Sequence, residues 1–435
     1  MSFAVCGILS PLAVKSQFLQ PDAIYSFTQP VGRTSALIQG SDGLLYGVTS
    51  SGGSNGYGSA FRITTNGVLT TLVSFTVTNA FPYAALIEGS DGNFYGTTSG
   101  AGSGGGQGTV FRMTPAGALT TLYAFTDGDG DPRGALVQGS YGKFYGTTAG
   151  WYDQGSVFTI TTNGDLTMLV SFTGANGSSP FAGLVQAANG DFYGTTVLGG
   201  SNGMGTVFKM TPSGMITTLV SFTNTGRVYS GLALGSDGNL YGTTTGFSNS
   251  PLSVFPGTVF RMTPEGALTT LAQFDYGIYP RTLAAASDGN LYGTTQYGGS
   301  SGRGEAFQVT TNGGFAVLYS FRCDSVGQYP SDLMQASSRL LFGSTSVCGT
   351  NGDGTVFRAS VFAPPPILLS NPVLNGTQFS FEWNAITGKV YSVEWGSNLT
   401  AWFNLNSFVV ATGSTMRITS PAFDPQRFFR VGLHP

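Results

Sequence analysis

A short segment recurs along this 435-residue chain, and it limits the possible folds more than any other feature of the sequence. The copy at 235–246 is GSDGNLYGTTTG, and close copies begin at positions 40, 89, 139 and 286. Its aromatic-glycine step occurs seven times, 48 to 51 residues apart, at Tyr46, Tyr95, Tyr145, Tyr193, Tyr241, Tyr292 and Phe342. A period of roughly 50 residues indicates either propeller blades or a solenoid.

Each repeat contains four short runs of apolar or alternating residues. In the second repeat these runs cover 86–89, 93–98, 108–113 and 119–125. Pairs such as Asp42-Gly43 separate the first two runs, and Asn66-Gly67 or a Pro-x-Gly triplet separates the last two. These residues favour two-residue hairpins, because glycine and asparagine tolerate a positive φ. Four strands per repeat predict one propeller blade, with the recurring aspartate as a turn residue and a ring of metal-binding carboxylates as the alternative.

The two ends of the repeat array predict a closed ring. The seventh repeat has its GTVF strand at 354–357, but Pro364-Pro365-Pro366 then replaces the expected fourth strand. The missing strand occurs at the other end of the array, where AIYSF at 23–27 matches LYSF at 318–321. An N-terminal strand that completes the last blade would remove an open sheet edge. We therefore predict an all-β protein with a seven-bladed β-propeller closed by an N-terminal strand.

Composition changes along the chain divide it into four predicted parts. Residues 1–20 contain an apolar run, which indicates either a signal peptide or a ragged N-terminus. The propeller is predicted over 21–362 and a proline linker over 363–366. Residues 367–435 lack the repeat, carry three of the four tryptophans and alternate in polarity, which predicts a small C-terminal β-sandwich.

The composition excludes several classes of function. The chain has 18 basic and 21 acidic side chains, so it offers no basic face, and we predict no nucleic-acid partner. Its one histidine, His434, is next to the last residue, which removes imidazole catalysis and histidine-rich metal sites. No window reaches the roughly 20 apolar residues that a membrane-spanning helix needs, so we predict no membrane span.

The repeat unit GSDGNLYGTT followed by GTVFRMTPEGALTTL resembles the GloVer tandem repeat of bacterial choice-of-anchor tandem repeat proteins, over 23–362. This resemblance implies an exported protein of the extracellular space or cell envelope, and it implies an architecture rather than an activity. The segment YSVEWGSNLTAWFNL, which begins at Tyr391, is similar to immunoglobulin-like or fibronectin type III-like modules of exported bacterial proteins.

The predicted strand order places the loops between second and third strands on the same face as the connections between blades. Aromatic rings combined with arginine and aspartate on that face would suit a sugar or peptide ligand. The candidate ligand-binding residues are Arg33, Tyr83, Arg133, Trp151, Tyr152, Asp153, Phe181, Arg227, Tyr229, Tyr279, Arg281 and Tyr329. The alternative is that these side chains only seal the loops and the tops of the blades.

The segment TDGDGDPRG offers Asp127, Asp129 and Asp131 at alternate positions, where three carboxylates could converge on Ca²⁺. Pro132 stands where a calcium loop of the EF-hand kind needs glycine, and no glutamate closes the loop. We therefore favour a solvated turn, and predict no other cofactor.

Cys323 and Cys348 should lie in two loops on the same face of the seventh blade. The sequence leaves two states open for them. They either form a disulfide, which suits an oxidising compartment, or remain two free thiols.

These observations favour an exported, non-enzymatic repeat protein that binds a glycan or a protein partner. One alternative is a carbohydrate-active enzyme, which would need two carboxyl groups flanking the scissile bond. The predicted inner strands offer only Glu88 for that role, and the loops offer Asp153, Asp275 and Asp324. The other alternative is a self-assembling structural protein of the cell envelope.

Overall fold

The computed structural model describes residues 18–100, 108–126, 130–150, 154–223, 226–250, 253–275, 277–337, 340–362, 369–375, 378–384, 390–396, 403–410, 415–421 and 428–433. The chain divides into two compact units, Gln20–Ser360 and a second unit comprising Met1–Leu19 and Val361–Pro435. No helix in the described part is long and apolar enough to cross a membrane. A short 3-10 helix covers Val77–Asn79, and the other elements are strands.

The strands in chain order are β1 Phe18–Ser26, β2 Ile38–Gln39, β3 Leu45–Thr49, β4 Ser59–Ile63, β5 Leu69–Ser74, β6 Ile87–Glu88, β7 Phe94–Thr98, β8 Thr109–Met113, β9 Leu119–Ala124, β10 Val137–Gln138, β11 Phe144–Thr148, β12 Ser156–Ile160, β13 Leu166–Ser171, β14 Val185–Gln186, β15 Phe192–Thr196, β16 Thr206–Met210, β17 Ile216–Ser221, β18 Ala233–Leu234, β19 Leu240–Thr244, β20 Phe247–Ser250, β21 Ser253–Phe255, β22 Thr258–Met262, β23 Leu268–Gln273, β24 Pro280–Ala285, β25 Leu291–Thr295, β26 Glu305–Val309, β27 Phe315–Ser320, β28 Gln328–Gln335, β29 Leu341–Val347, β30 Thr355–Phe362, β31 Leu369–Asn375, β32 Gln378–Asn384, β33 Val390–Gly396, β34 Phe403–Val410, β35 Thr415–Pro421 and β36 Phe428–Leu433.

Seven four-stranded antiparallel sheets form the seven blades of a propeller. Blades one to six each follow the order of the chain, and the hairpin β20–β21 is inserted between the second and third strands of blade five. Blade seven has the order β1-β30-β29-β28, so the N-terminal strand supplies its outer strand. The predicted seven-bladed propeller closed by an N-terminal strand is therefore confirmed.

The recurring aspartate fixes a turn and a buried tyrosine. Oδ1 of Asp237 accepts a hydrogen bond from the backbone N–H of Asn239 (3.1 Å), and Oδ2 accepts one from the hydroxyl of Tyr241 (2.7 Å). The same aspartate-tyrosine bond joins Asp42 to Tyr46, Asp91 to Tyr95 and Asp288 to Tyr292. Burial, followed by the hydrogen bond that the Tyr46 hydroxyl donates to Asp42, raises the pKa of Tyr46 to about 12. These aspartates therefore shape the blades, because each is engaged within its own hairpin.

Neighbouring blades are joined by hydrogen bonds close to their first strands. The backbone N–H of Ser90 donates to Oε1 of Gln138 in the next blade (2.8 Å). Ser41 donates to both carboxylate oxygens of Glu88, from its N–H (2.7 Å) and its hydroxyl (2.6 Å). The ring closes in the same way, because the N–H of Ser337 donates to Oε1 of Gln39 (2.8 Å). Glu88 is thus a structural carboxylate at a blade interface.

The C-terminal region forms two three-stranded antiparallel sheets, with the orders β31-β32-β35 and β34-β33-β36. Phe381, Trp383 and Val393 are buried, and the rings of Phe381 and Trp383 lie 6.1 Å apart. Buried aromatic and aliphatic side chains give this region apolar packing of its own.

Candidate functional site

The antiparallel order of each blade gives the propeller two different faces. The hairpins between strands one and two, and between strands three and four, lie at one end of the blades. The loops between strands two and three lie at the other end, together with the connections between blades. We call this second end the long-loop face.

A glycine-rich loop recurs on this face in blades one, four, six and seven. Residues 52–58, 199–205 and 298–304 follow the pattern Gly-Gly-x-x-Gly-x-Gly, and 348–354 follows it with Cys348 in place of the first glycine. In each loop the last glycine N–H donates to the carbonyl of the first residue, at 2.8–3.0 Å. The first glycines have a positive φ, such as +77° at Gly199, which glycine adopts without strain. The loop is thus a fixed frame around one variable residue, which is Tyr57, Met204, Arg303 or Asp353.

A cleft of about 570 Å³ opens on the long-loop face between blades six, seven and one. It is lined by Pro30, Val31, Gly32, Arg33, Arg281, Gln296, Ser346, Val347, Gly352 and Asp353. Its volume lies within the range of small-molecule sites. Two of the predicted ligand-binding residues, Arg33 and Arg281, therefore share one cleft.

Arg281 lies on β24, which pairs with β25 and has a register irregularity between Pro280 and Leu283. Its Nη2 donates a hydrogen bond to Oε1 of Gln296 (2.8 Å), and its Nε is enclosed with no acceptor among the described residues. Arg33 is exposed, and its backbone N–H donates to the hydroxyl of Ser50 (2.8 Å). Asp353 supplies the one carboxylate in the lining of the cleft. The cleft therefore offers two cationic donors, an amide and one acceptor that carries a negative charge.

Three tyrosines form a cluster next to this cleft. The rings of Tyr279 and Tyr297 are 5.5 Å apart, and those of Tyr297 and Tyr329 are also 5.5 Å apart, both edge to face. Arg303 lies 5.6 Å from the ring centre of Tyr329. Gln296 joins the cluster to the cleft, because its Nε2 donates to the hydroxyl of Tyr297 (3.4 Å). Tyr279 is 36% exposed and Tyr297 is 39% exposed, so the cluster offers ring surface to a ligand.

Tyr329 is held in a conformation that a non-glycine residue rarely adopts. Its φ is +55°, which costs about 1–2 kcal/mol. The N–H of Tyr329 donates to the carbonyl of Arg303 (2.9 Å), and the carbonyl of Tyr329 accepts a hydrogen bond from the hydroxyl of Ser346 (3.2 Å). The surrounding loops therefore impose this conformation, which holds the ring against Tyr297.

A second group of predicted residues lies across blades three to five. The Arg133 guanidinium lies 5.3 Å from the ring centre of Phe181, whose ring is 6.2 Å from that of Tyr229. Arg227 pairs through its backbone with Thr245. Tyr83 is exposed on the same face. Trp151, Tyr152 and Asp153 lie outside the described residues.

Asp131 is buried and hydrogen-bonded within the protein rather than exposed to solvent. It is 7% exposed, and its Oδ2 accepts hydrogen bonds from the Ser99 hydroxyl (2.9 Å) and Arg133 Nε (2.7 Å). Asp127 and Asp129 lie outside the described residues. Within the described part of the chain, no three His, Cys, Asp or Glu side chains are grouped so that they could hold a metal ion.

The structure places Cys323 and Cys348 in a disulfide, with their Cα atoms 5.4 Å apart. The bond joins the connection that enters blade seven to the glycine-rich loop of the same blade. Ser346, Val347 and Asp353, which line the cleft, lie in or beside that loop.

Sequence reasoning did not single out Gln296, Tyr297, Arg303 and Asp353. The available signal was the alignment of the glycine-rich loops, in which Arg303 and Asp353 occupy the variable position inside an otherwise repeated frame. Gln296 and Tyr297 come directly before that frame in blade six.

Glu305 breaks a pattern that the other six blades share. In those blades a threonine or serine hydroxyl at the start of the third strand pairs with a threonine hydroxyl of the second, as Thr206 does with Thr196 (2.9 Å). In blade six Glu305 takes this place beside Thr295. The whole Glu305 residue is 9% exposed, its carboxyl has no hydrogen-bond partner among the described residues, and burial raises the pKa of that carboxyl.

We expect Glu305→Gln to stabilise the protein by about 1 kcal/mol at pH 7, because it removes a buried, unpartnered charge. Because the pKa of Glu305 is raised in the folded state, the folded protein holds the proton of this carboxyl more tightly than the unfolded chain does. The penalty of the charge is therefore absent below the unfolded pKa of about 4.3 and grows as the pH rises through the folded pKa. Urea unfolding from pH 4 to pH 8 measures the difference.

The gain from Glu305→Gln should shrink towards zero at pH 4. The exposed Glu265→Gln serves as the control and should show no such trend. A gain that is equal at pH 4 and pH 8 would contradict a buried charge at Glu305.

A family model described as the Gloeobacter/Verrucomicrobia repeat matches residues 12–150 and 132–357. No curated protein matches the chain.

Similar solved structures include virginiamycin B lyase from Staphylococcus aureus, with 16% identity and a TM-score of 0.58, covering 80% of this chain and 100% of that chain. A streptogramin B lyase structure has 13% identity and a TM-score of 0.57, and the match covers 80% of this chain and 98% of that chain. A catalytically inactive histidine-to-alanine variant of the Staphylococcus aureus enzyme with quinupristin has 15% identity and a TM-score of 0.57, covering 80% and 100%. At these identities the likeness shows the fold alone.

Proposed function

The chain belongs to the Gloeobacter/Verrucomicrobia repeat family, and we propose that it is an exported, non-enzymatic protein whose propeller binds a glycan on the long-loop face. The single observation that carries this proposal is the tyrosine cluster beside the charged cleft. Tyr279, Tyr297 and Tyr329 offer ring surface against which the apolar face of a sugar packs. Arg281, Gln296 and Asp353 supply the directed hydrogen bonds that sugar hydroxyls need.

Binding is favoured over catalysis by the state of the carboxylates. Glycoside hydrolysis needs two carboxyls on either side of the bond that is cleaved. Glu88 accepts two hydrogen bonds from Ser41, and Asp324 accepts one from the N–H of Val326 (2.9 Å). Asp353 is the one carboxylate that lines the cleft.

The disulfide between Cys323 and Cys348 supports export, because such bonds persist in oxidising compartments. We place the protein outside the cytoplasm, in the extracellular space or the cell envelope. The two three-stranded sheets of the C-terminal region support an immunoglobulin-like or fibronectin type III-like module.

We expect the full chain to be retained on at least one member of an immobilised polysaccharide panel without releasing new chain ends. Tyr297→Ala should weaken that retention about tenfold, because it removes the central ring of the cluster. Tyr141→Ala is the matched control, since Tyr141 is 86% exposed and lies in a hairpin on the opposite face. Affinity electrophoresis and a reducing-end assay measure the two outcomes.

Two results would overturn the proposal. If Tyr297→Ala is retained as well as Tyr141→Ala, the cluster does not hold the glycan. If new chain ends appear with the original chain, the protein is an enzyme.

A further inference from the structure

We infer that the glycan bound at this site is acidic, and that the cleft holds the carboxylate of a uronic acid residue. This inference rests on the proposed function and names the chemical class of its ligand. It follows from the charges of the cleft, from the partners of those charges, and from their position beside the tyrosine cluster.

Three arginines on this side of the long-loop face have no carboxylate partner within the described part of the chain. The ion pairs found there join Arg133 to Asp131, Lys209 to Asp191, Arg358 to Asp22 and Arg417 to Glu382. Arg33, Arg281 and Arg303 form none of them, although the chain has more acidic than basic side chains. Arg33 and Arg281 both line the cleft, and Arg303 lies over the ring of Tyr329. An acidic protein therefore keeps a local excess of positive charge at this site, which attracts an anion.

The hydrogen bonds of Arg281 suit a carboxylate ligand. A guanidinium presents five N–H donors in a plane and binds a carboxylate through two of them. Among the described residues, only Nη2 of the Arg281 side chain has an acceptor, and that acceptor is the neutral amide of Gln296. Nε is enclosed without an acceptor there. A carboxylate that entered the cleft would accept hydrogen bonds from the N–H groups of the Nη atoms that face the cleft.

Asp353 would determine which group of the sugar binds at its own position in the same cleft. Its carboxylate accepts hydrogen bonds but repels an anion, so it suits a hydroxyl of the sugar rather than its acid group. Gln296 contacts both Arg281 and Tyr297, and so places the carboxylate-binding side chain next to an aromatic ring. A uronic acid residue has this combination of groups, with a carboxylate on a ring that also carries hydroxyls and an apolar face.

The test compares polygalacturonate with the same polymer after its carboxyls have been reduced to primary alcohols. We expect the full chain to bind polygalacturonate at least tenfold more tightly than the reduced polymer, and to lose that preference as salt is raised. Arg281→Gln and the exposed Arg33→Gln should each weaken binding of the acidic polymer about tenfold. Lys143→Gln removes the same charge from a hairpin on the opposite face, and should leave binding unchanged. Asp353→Asn should strengthen binding of the acidic polymer about threefold.

The outcomes separate this inference from the proposed function. Equal binding of both polymers would overturn the acidic ligand while the glycan-binding function stands. Stronger binding of a sulfated galactan than of polygalacturonate would overturn the carboxylate assignment. Retention of no polysaccharide at all would overturn both proposals. Because Arg33 is exposed, full affinity in Arg33→Gln would count against the inference even if Arg281→Gln failed to fold.

Discussion

A chain that begins at Thr28, and therefore lacks β1, is expected to lose at least about 4 kcal/mol of stability and to self-associate. β1 is the outer strand of blade seven and covers the edge of β30. Phe27, which follows it, is buried in a cluster that joins residues of blades seven and one, including Phe61 and Phe342. Without this segment, β30 presents unpaired N–H and C=O groups to a second molecule. Thermal unfolding and sedimentation velocity measure the two effects.

The control is a chain that begins at Phe18 and keeps β1. It should unfold as the full chain does. A chain from Thr28 that remains monomeric with an unchanged melting temperature would contradict closure by the N-terminal strand.

A single methyl group tests the same interface. A Cβ added at Gly67 would lie 2.0 Å from the carbonyl oxygen of Ile24 in β1, and the φ of Gly67 is +96°. Gly43 has a φ of +80°, but a Cβ there would meet open space. Both alanine substitutions carry the backbone cost, so the additional loss in Gly67→Ala, about 2 kcal/mol, measures the contact with β1. Equal losses of stability in Gly67→Ala and Gly43→Ala would contradict the packing of β1 against Gly67.

The blade count was predictable because similar physical signals recur from repeat to repeat. Each turn aspartate, such as Asp237, has a tyrosine four residues later with which it pairs, and in blades one to six the hairpins between strands one and two and between strands three and four have a glycine where φ must be positive. A propeller blade is built from local pairings, so its strands can be predicted within one repeat. Closure of the ring was also predictable, because the strand that is missing from the C-terminal end of the repeat array is present at its N-terminal end.

The cleft was not predictable in the same way. It joins Arg33 to Asp353, which are brought together only when the ring closes between blades one and seven. The sequence placed Arg33 and Arg281 on the correct face, but it did not show that Gln296 would bridge Arg281 to Tyr297. The position of the Tyr329 ring depends on a φ of +55°, which no propensity of tyrosine favours.

Asp131 shows how a spacing can predict the wrong environment. At the sequence level it stands with Asp127 and Asp129 as a possible calcium ligand or part of a solvated turn. In the structure it is buried and paired with Arg133, two residues later, and with Ser99 of the neighbouring blade. The spacing of charges along the chain could not show this, because Ser99 approaches from 32 residues away.

The double variant Cys323→Ser, Cys348→Ser is expected to lose about 3 kcal/mol of stability. The disulfide links residues 25 apart in the sequence, and a cross-link of that size restricts the unfolded chain by about this amount. Each single variant should cost as much as the double variant, since either one breaks the bond. Urea unfolding of all three proteins measures the comparison, and additive single effects would contradict a bond between these cysteines.

The backbone at Cys348 provides a second, independent comparison. Its φ is +66°, and the corresponding positions in blades one, four and six are Gly52, Gly199 and Gly298. With the bond already removed, Cys348→Gly should therefore be about 1 kcal/mol more stable than Cys348→Ser, because glycine adopts this conformation without strain. Equal stabilities would mean that the loop relaxes once the disulfide is lost.

Loss of the disulfide should also weaken ligand binding, because Ser346, Val347 and Asp353 of the cleft lie in or beside the loop that Cys348 anchors. Tyr279 and Tyr297 belong to blade six and are not held by this bond, so contacts to the rings should persist. The double variant should therefore bind more weakly than the original chain but more strongly than Tyr297→Ala. If the disulfide only stabilises the loop, the double variant should have a lower melting temperature but full affinity. If the disulfide positions the loop for binding, the double variant should have both a lower melting temperature and a lower affinity.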